Sequence, residues 1–122
     1  MTIKMCTNLY VQNVKTEGEF FKTIGFVEMA RQKNGETETL IFAPTAAGNA
    51  RLQIWDIEFI RQVSPEVAEQ KPSILFEVSD IQDWHEKVVA QGGFTSDLQE
   101  MGGKLTFNFQ SPNGLYFAFM EE

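Results

Sequence analysis

The chain has 122 residues, 43% of them hydrophobic and 22% charged, which is one domain's worth of an ordinary globular composition. Its net charge of −7 and isoelectric point near 4.7 oppose phosphate backbones and anionic membranes, so nucleic acid and membranes are excluded as expected partners. No apolar run approaches a membrane span, "MTIKMCTNLYV" lacks the pattern of a signal peptide, and the single cysteine, Cys6, rules out an internal disulfide and fits a reducing, cytoplasmic setting.

The first predicted element is a strand in which Leu9 and Val11 alternate with Asn8 and Tyr10. Thr16-Glu17-Gly18-Glu19 reads as a capping box, with a hydroxyl at the N-cap and a carboxylate three residues on. The helix it opens has Phe20, Phe21 and Ile24 as its apolar stripe and is stopped by Gly25. Strands are expected near 27–32, 37–43 and 51–57. "EFIRQVSPEVAEQKP" is polar, holds two of the four prolines, and reads as a linker with room for a helical turn. Beyond it Ile74, Phe76 and Val78 alternate with Leu75 and Glu77, and residues 79–82 offer a second capping box. Ile81, Trp84 and Val88 follow helical spacing, and Gly92-Gly93 ends that helix. His85, the only histidine, falls on the outer or flanking side of this helix and is expected to be solvated. Three more strands are expected near 94–100, 104–110 and 115–120, the last two joined by a tight turn at Pro112-Asn113-Gly114.

These elements form a repeat. "CTNLYVQNVKTEGEFFKTIGF" and "SILFEVSDIQDWHEKVVAQGGF" share the order strand, helix start, amphipathic helix, glycine and phenylalanine. Cys6 aligns with Ser73, Val11 with Val78 and Asn13 with Asp80, and the second copy carries one extra residue before Gly93. "NARLQIWD" runs parallel to "NGLYFAFM", setting Gln53 against Ala118. The expected organisation is one domain of two modules, 1–57 and 73–122, joined by a linker at 58–72.

A doubled β-α-β-β-β unit carried by "NLYVQNVKTEGEFFKTIGF", "ILFEVSDIQDWHEKVVAQGGF" and "FQSPNGLYFAFME" resembles the vicinal oxygen chelate superfamily, the group of glyoxalases, bleomycin resistance proteins and extradiol dioxygenases. The final segment is similar to that family's strand-turn-strand signature, with Ser111 where an aspartate is usual. The resemblance implies an α+β fold in which two β-α-β-β-β modules form a curled, cup-shaped mixed sheet with helices packed outside. It also implies a homodimer, which the eleven phenylalanines support by being many for one small core.

Metal ligands in this family point into the cup, one from each of four strands, and the resemblance transfers those positions to Cys6, Gln53, Ser73 and Ala118. The alternation agrees on the face. Leu9/Val11, Leu52/Ile54, Ile74/Phe76/Val78 and Phe117/Phe119 make a strongly apolar side, and the four positions lie on the other. A thiol, an amide, a hydroxyl and a methyl do not make the imidazole-carboxylate set that a divalent ion wants. A metal site, a cofactor and catalytic residues are therefore not expected. The remaining residues of that face suit a small organic molecule: Tyr10, Trp55 and Tyr116 as flat walls, Asn8, Gln53, Asn108 and Gln110 as hydrogen-bonding groups, Arg51 and Glu77 as opposite charges. A metal-free binder leads, followed by a metal-dependent lyase, isomerase or dioxygenase of the same superfamily, and then by a regulatory or interaction domain without a working pocket.

Overall fold

The computed structural model describes residues 3–122. Its chain divides into two compact units, 1–72 and 73–122. The first contains β1 (Met5–Val11), α1 (Val14–Ile24), β2 (Val27–Asn34), β3 (Thr37–Ala43), β4 (Ala50–Asp56) and a short helix α2 (Ile57–Val63). The second contains β5 (Ile74–Val78), α3 (Ile81–Val89), β6 (Gln99–Met101), β7 (Lys104–Gln110) and β8 (Tyr116–Glu121). Each unit holds a four-stranded mixed sheet, in the orders β1-β4-β3-β2 and β5-β8-β7-β6. The first strand of each unit pairs parallel to the last, and the other pairings are antiparallel. The fold is thus α+β, a β-α-β-β-β module made twice. Among the described residues no helix is long and apolar enough to cross a membrane.

Both helices start elsewhere than the capping boxes predict. Asn13, not Thr16, caps α1: its Oδ1 accepts from the Thr16 backbone N–H at 3.1 Å. Asparagine is as good a cap as threonine, so the helix begins three residues earlier and Thr16 becomes part of its first turn. Asp80 stands at the start of α3 but makes no side-chain cap, because its Oδ1 accepts from the Trp84 indole N–H at 3.1 Å instead. The two true starts, Asn13 and Asp80, are the pair that the repeat aligns.

The helix ends differ more. Gly25 takes a left-handed φ of 115°. This lets the Phe26 N–H reach the Phe21 carbonyl at 2.9 Å and the Gly25 N–H reach Lys22 at 3.1 Å. The Phe21 and Phe26 rings then meet at 5.2 Å, which completes a Schellman clasp. In the second unit α3 passes through a right-handed Ala90, and the positive φ falls on Gly92. Phe26 ends up 3% exposed and its counterpart Phe94 52% exposed. The extra residue of the second copy moves its phenylalanine out of the clasp.

Alternation assigns the faces as expected. Leu9, Val11, Leu52 and Ile54 are buried with Phe21 and Ile24 of α1. Phe107, Phe109, Phe117 and Phe119 are buried with Val88 of α3, and their rings stack at 5.4–6.1 Å. Eight of the eleven phenylalanines are buried, so these cores account for most of them. Gly18 lets α1 lie close on β3: a Cβ there would come 2.5 Å from Leu40 Cδ1.

The strand expected near 94–100 is interrupted. Only Gln99–Met101 forms β6, while Thr95 makes an isolated bridge to Phe109. Between them the Ser96 hydroxyl accepts the Asn108 N–H at 2.9 Å. A side-chain oxygen thereby takes the donor a continuous ladder would use, the competition that serine commonly offers. Part of the polar stretch 58–72 is helical, with Asp56 capping α2 through contacts to the Glu58 and Phe59 N–H groups at 2.9 and 3.3 Å. Arg61 grips Glu69 in a bidentate contact at 2.8 and 3.0 Å and also pairs with Glu58. The guanidinium holds the Glu69 carboxyl below its usual range.

Candidate functional site

The open face of the first sheet carries Cys6, Asn8, Tyr10, Gln53 and Trp55. In register, Asn8 stands beside Gln53 and Tyr10 beside Trp55. Cys6 and Asn8 are exposed, and Tyr10, Gln53 and Trp55 are half-buried. Trp55 lies parallel to Phe59 of α2, with interplanar angle 1° and centroids 6.2 Å apart, and donates its indole N–H to Asn8 Oδ1 at 3.0 Å. These two residues, a wall and a polar contact by sequence, satisfy each other. Arg51 shares the alternation but is only 7% exposed. Its Nη1 donates to the Gly48 and Ala50 carbonyls at 2.8 Å each, so the guanidinium closes its own loop. Cys6, Asn8 and Tyr10 border a shallow cleft of about 360 Å³ with Val67 and Lys71.

The open face of the second sheet is arranged differently. Ser73, Asn108, Tyr116 and Ala118 border one open cavity of about 360 Å³, as shallow as the cleft on the first sheet, with Ile74, Phe94 and Phe117 completing its lining. Tyr116 is 60% and Phe94 52% exposed, and their rings meet edge to face at 6.4 Å. Asn108 and Ala118 are direct cross-strand neighbours. The small Ala118 leaves room between the amide and the rings. No lining side chain is charged; Glu77 is exposed on β5 beside Met120 and outside the lining.

The loop behind this cavity is held by Ser111. It is 5% exposed, its N–H donates to the Leu115 carbonyl at 2.8 Å, and its hydroxyl accepts the Leu115 N–H at 3.2 Å. Gly114, with φ 84°, donates to the Ser111 carbonyl at 2.9 Å. The serine thus closes the turn with its own backbone and hydroxyl.

The donor chemistry does not suit a divalent cation. Cys6 and Gln53 offer one thiol and one amide, and Ser73 and Ala118 offer one hydroxyl and none. Among the described residues no group of three or more histidine, cysteine, aspartate or glutamate side chains could hold a metal ion. His85 is half-buried rather than solvated: its Nε2–H donates to the Ser96 carbonyl at 2.8 Å, and its ring stands edge-on to Phe107 at 4.8 Å.

Phe94 is the wall that sequence reasoning misses. Its place after a glycine matches that of the buried Phe26. The only signal of a difference is the single extra residue before it.

No family sequence model and no curated protein sequence matches the chain. Solved structures do. TioX from Micromonospora sp. ML1 superposes with TM-score 0.81 at 16% identity, covering 98% of both chains. TnmS3, an antibiotic binding protein from Streptomyces sp. CB03234, gives 0.79 at 15% identity, covering 99% of this chain and 96% of that one. Lactoylglutathione lyase from Agrobacterium tumefaciens gives 0.72 at 14% identity over 99% and 94%. Other matches are glyoxalase/bleomycin resistance/dioxygenase superfamily proteins. The chain has the vicinal oxygen chelate fold.

Proposed function

We propose that this protein binds a small, flat organic molecule, without a metal ion, on the open face of its second sheet. The observation that carries the reading is the uncharged cavity in which Phe94 and Tyr116 are both more than half exposed beside Asn108. Large aromatic surface left in water beside one oriented amide is what a ligand covers: the rings supply dispersion and burial, and the amide fixes orientation. The same fold serves a protein described as antibiotic binding and one described as a lyase. Fold alone does not choose between them. The donor set supports the binder, since a metal-dependent lyase would need ligands that Cys6, Gln53, Ser73 and Ala118 do not supply.

The test is a thermal-shift screen of planar aromatic compounds beside zinc, nickel, manganese and iron salts. A native-state ligand at a hundred times its dissociation constant adds about 2.7 kcal/mol of stability. The expected result is a raised melting temperature with at least one planar compound, lost in Tyr116→Ala, and no response to metals. One metal per chain by elemental analysis, removed by substituting Cys6 or Gln53, would favour the enzyme reading instead.

A further inference from the structure

We propose that His85 is a positioning residue for this cavity: from the helix side of the sheet it pins the strap 94–98, and so fixes Phe94 as a wall. The proposal rests on the cavity reading above, and deepens it.

The two modules allow a direct comparison. His85 is the fifth residue of α3 as Gly18 is the fifth of α1, and Phe107 is the fourth residue of β7 as Leu40 is the fourth of β3. Each helix meets its sheet at these positions, Gly18 against Leu40 and His85 against Phe107. Glycine therefore suffices to seat a helix at this point of the fold. What the imidazole adds is a donor, and its acceptor is the Ser96 carbonyl at 2.8 Å.

The second module needs that donor where the first does not. In the first, β2 pairs with β3 along nearly its whole length. In the second, the equivalent ladder is broken between the bridge at Thr95 and β6. The strap is tied by few bonds: Gln110 N–H to the Phe94 carbonyl at 3.0 Å, Ser96 N–H to the Asn108 carbonyl at 2.8 Å, and Asn108 N–H to Ser96 Oγ at 2.9 Å. Ser96 takes part in two of these and also accepts from His85. One ring thus braces the residue that joins the strap to Asn108, and both Asn108 and Phe94 line the cavity. Nε2–H is available in the neutral tautomer with the proton on Nε2 and in the imidazolium, so the brace survives protonation.

Two variants separate this role from packing. His85→Phe keeps an aromatic ring near Phe107 and removes the donor; His85→Gln keeps an N–H donor near the Nε2 position. The first readout needs no ligand. Amide hydrogen exchange in His85→Phe should be faster by about tenfold at Ser96 and Asn108, the effect of one lost hydrogen bond, with Phe117 and Phe119 unchanged and His85→Gln close to wild type. The second readout is fluorescence titration with lumiflavin, an uncharged planar probe, whose dissociation constant should rise several-fold in His85→Phe and recover in His85→Gln. Exchange at Ser96 and Asn108 unaltered in His85→Phe, or equal acceleration in both variants, would overturn the proposal, as would weakened probe binding that His85→Gln does not rescue. Lumiflavin failing to bind the wild-type protein would count against the cavity reading, and the exchange result would then decide the bracing role by itself.

Discussion

Trp55 shows how much a side chain's direction leaves open. Alternation puts it on the open face, and it is there, but it stacks on Phe59 and donates to Asn8. A side chain so engaged supports α2 against the sheet. Trp55→Ala is expected to cost about 2 kcal/mol in a denaturant melt, below the 3–5 kcal/mol of a fully buried aromatic because part of the indole stays in water. It should leave planar-ligand binding by the folded protein unchanged. A variant of full stability with lost binding would return Trp55 to the ligand. Arg51 carries the same lesson. Its position was legible, and its two carbonyl partners were not, because period-two patterning says which way a side chain points and nothing about what waits there.

At the scale of elements, the helices show what local signals can and cannot fix. Their existence, their stripes and the glycine end of α1 were readable, while their starts were not, nor was the end of α3, which closes at Val89 with Ala90 as its C-cap. Thr16 and Asn13 are both competent caps, and only packing of α1 on the sheet selects between them. That packing hinges on Gly18. Gly18→Ala gains up to about 1 kcal/mol of helix propensity but drives a Cβ to within 2.5 Å of Leu40 Cδ1 and 3.3 Å of Phe42 Cε2. Both partners are buried, and overpacking of that kind costs about 1–3 kcal/mol. A net loss near 1 kcal/mol is expected by chemical denaturation; increased stability would mean that Leu40 can move aside.

At the scale of the whole molecule, assembly is the open quantity. The abundance of phenylalanine no longer argues for a partner chain, since most of it is internal. Ile3, Met5, Leu75 and Met101, each more than half exposed, are the apolar groups that a contact between chains would cover. A homodimer is the expected state, and light scattering across micromolar concentrations checks it. A constant monomer mass would leave those residues to another role.

The sequence by itself determined the doubled module, the order of its elements and the inward face of β1, β4, β5 and β8. Each of these follows from a period, two or 3.6, that burial imposes on neighbouring residues. It also determined that Cys6, Gln53, Ser73 and Ala118 make a poor metal set, because ligand chemistry belongs to residue type. Tertiary structure alone decided which of the two open faces keeps free aromatic surface. In the first, α2 returns a phenylalanine to cover Trp55. In the second, one added residue after α3 releases Phe94 from the clasp that holds Phe26, and a histidine on the far side of the sheet braces the strap that carries it. The partners are only four residues apart for Trp55 and Phe59 and eleven for His85 and Ser96, but whether they meet depends on how each helix lies on its sheet, which a hydrophobic period does not encode.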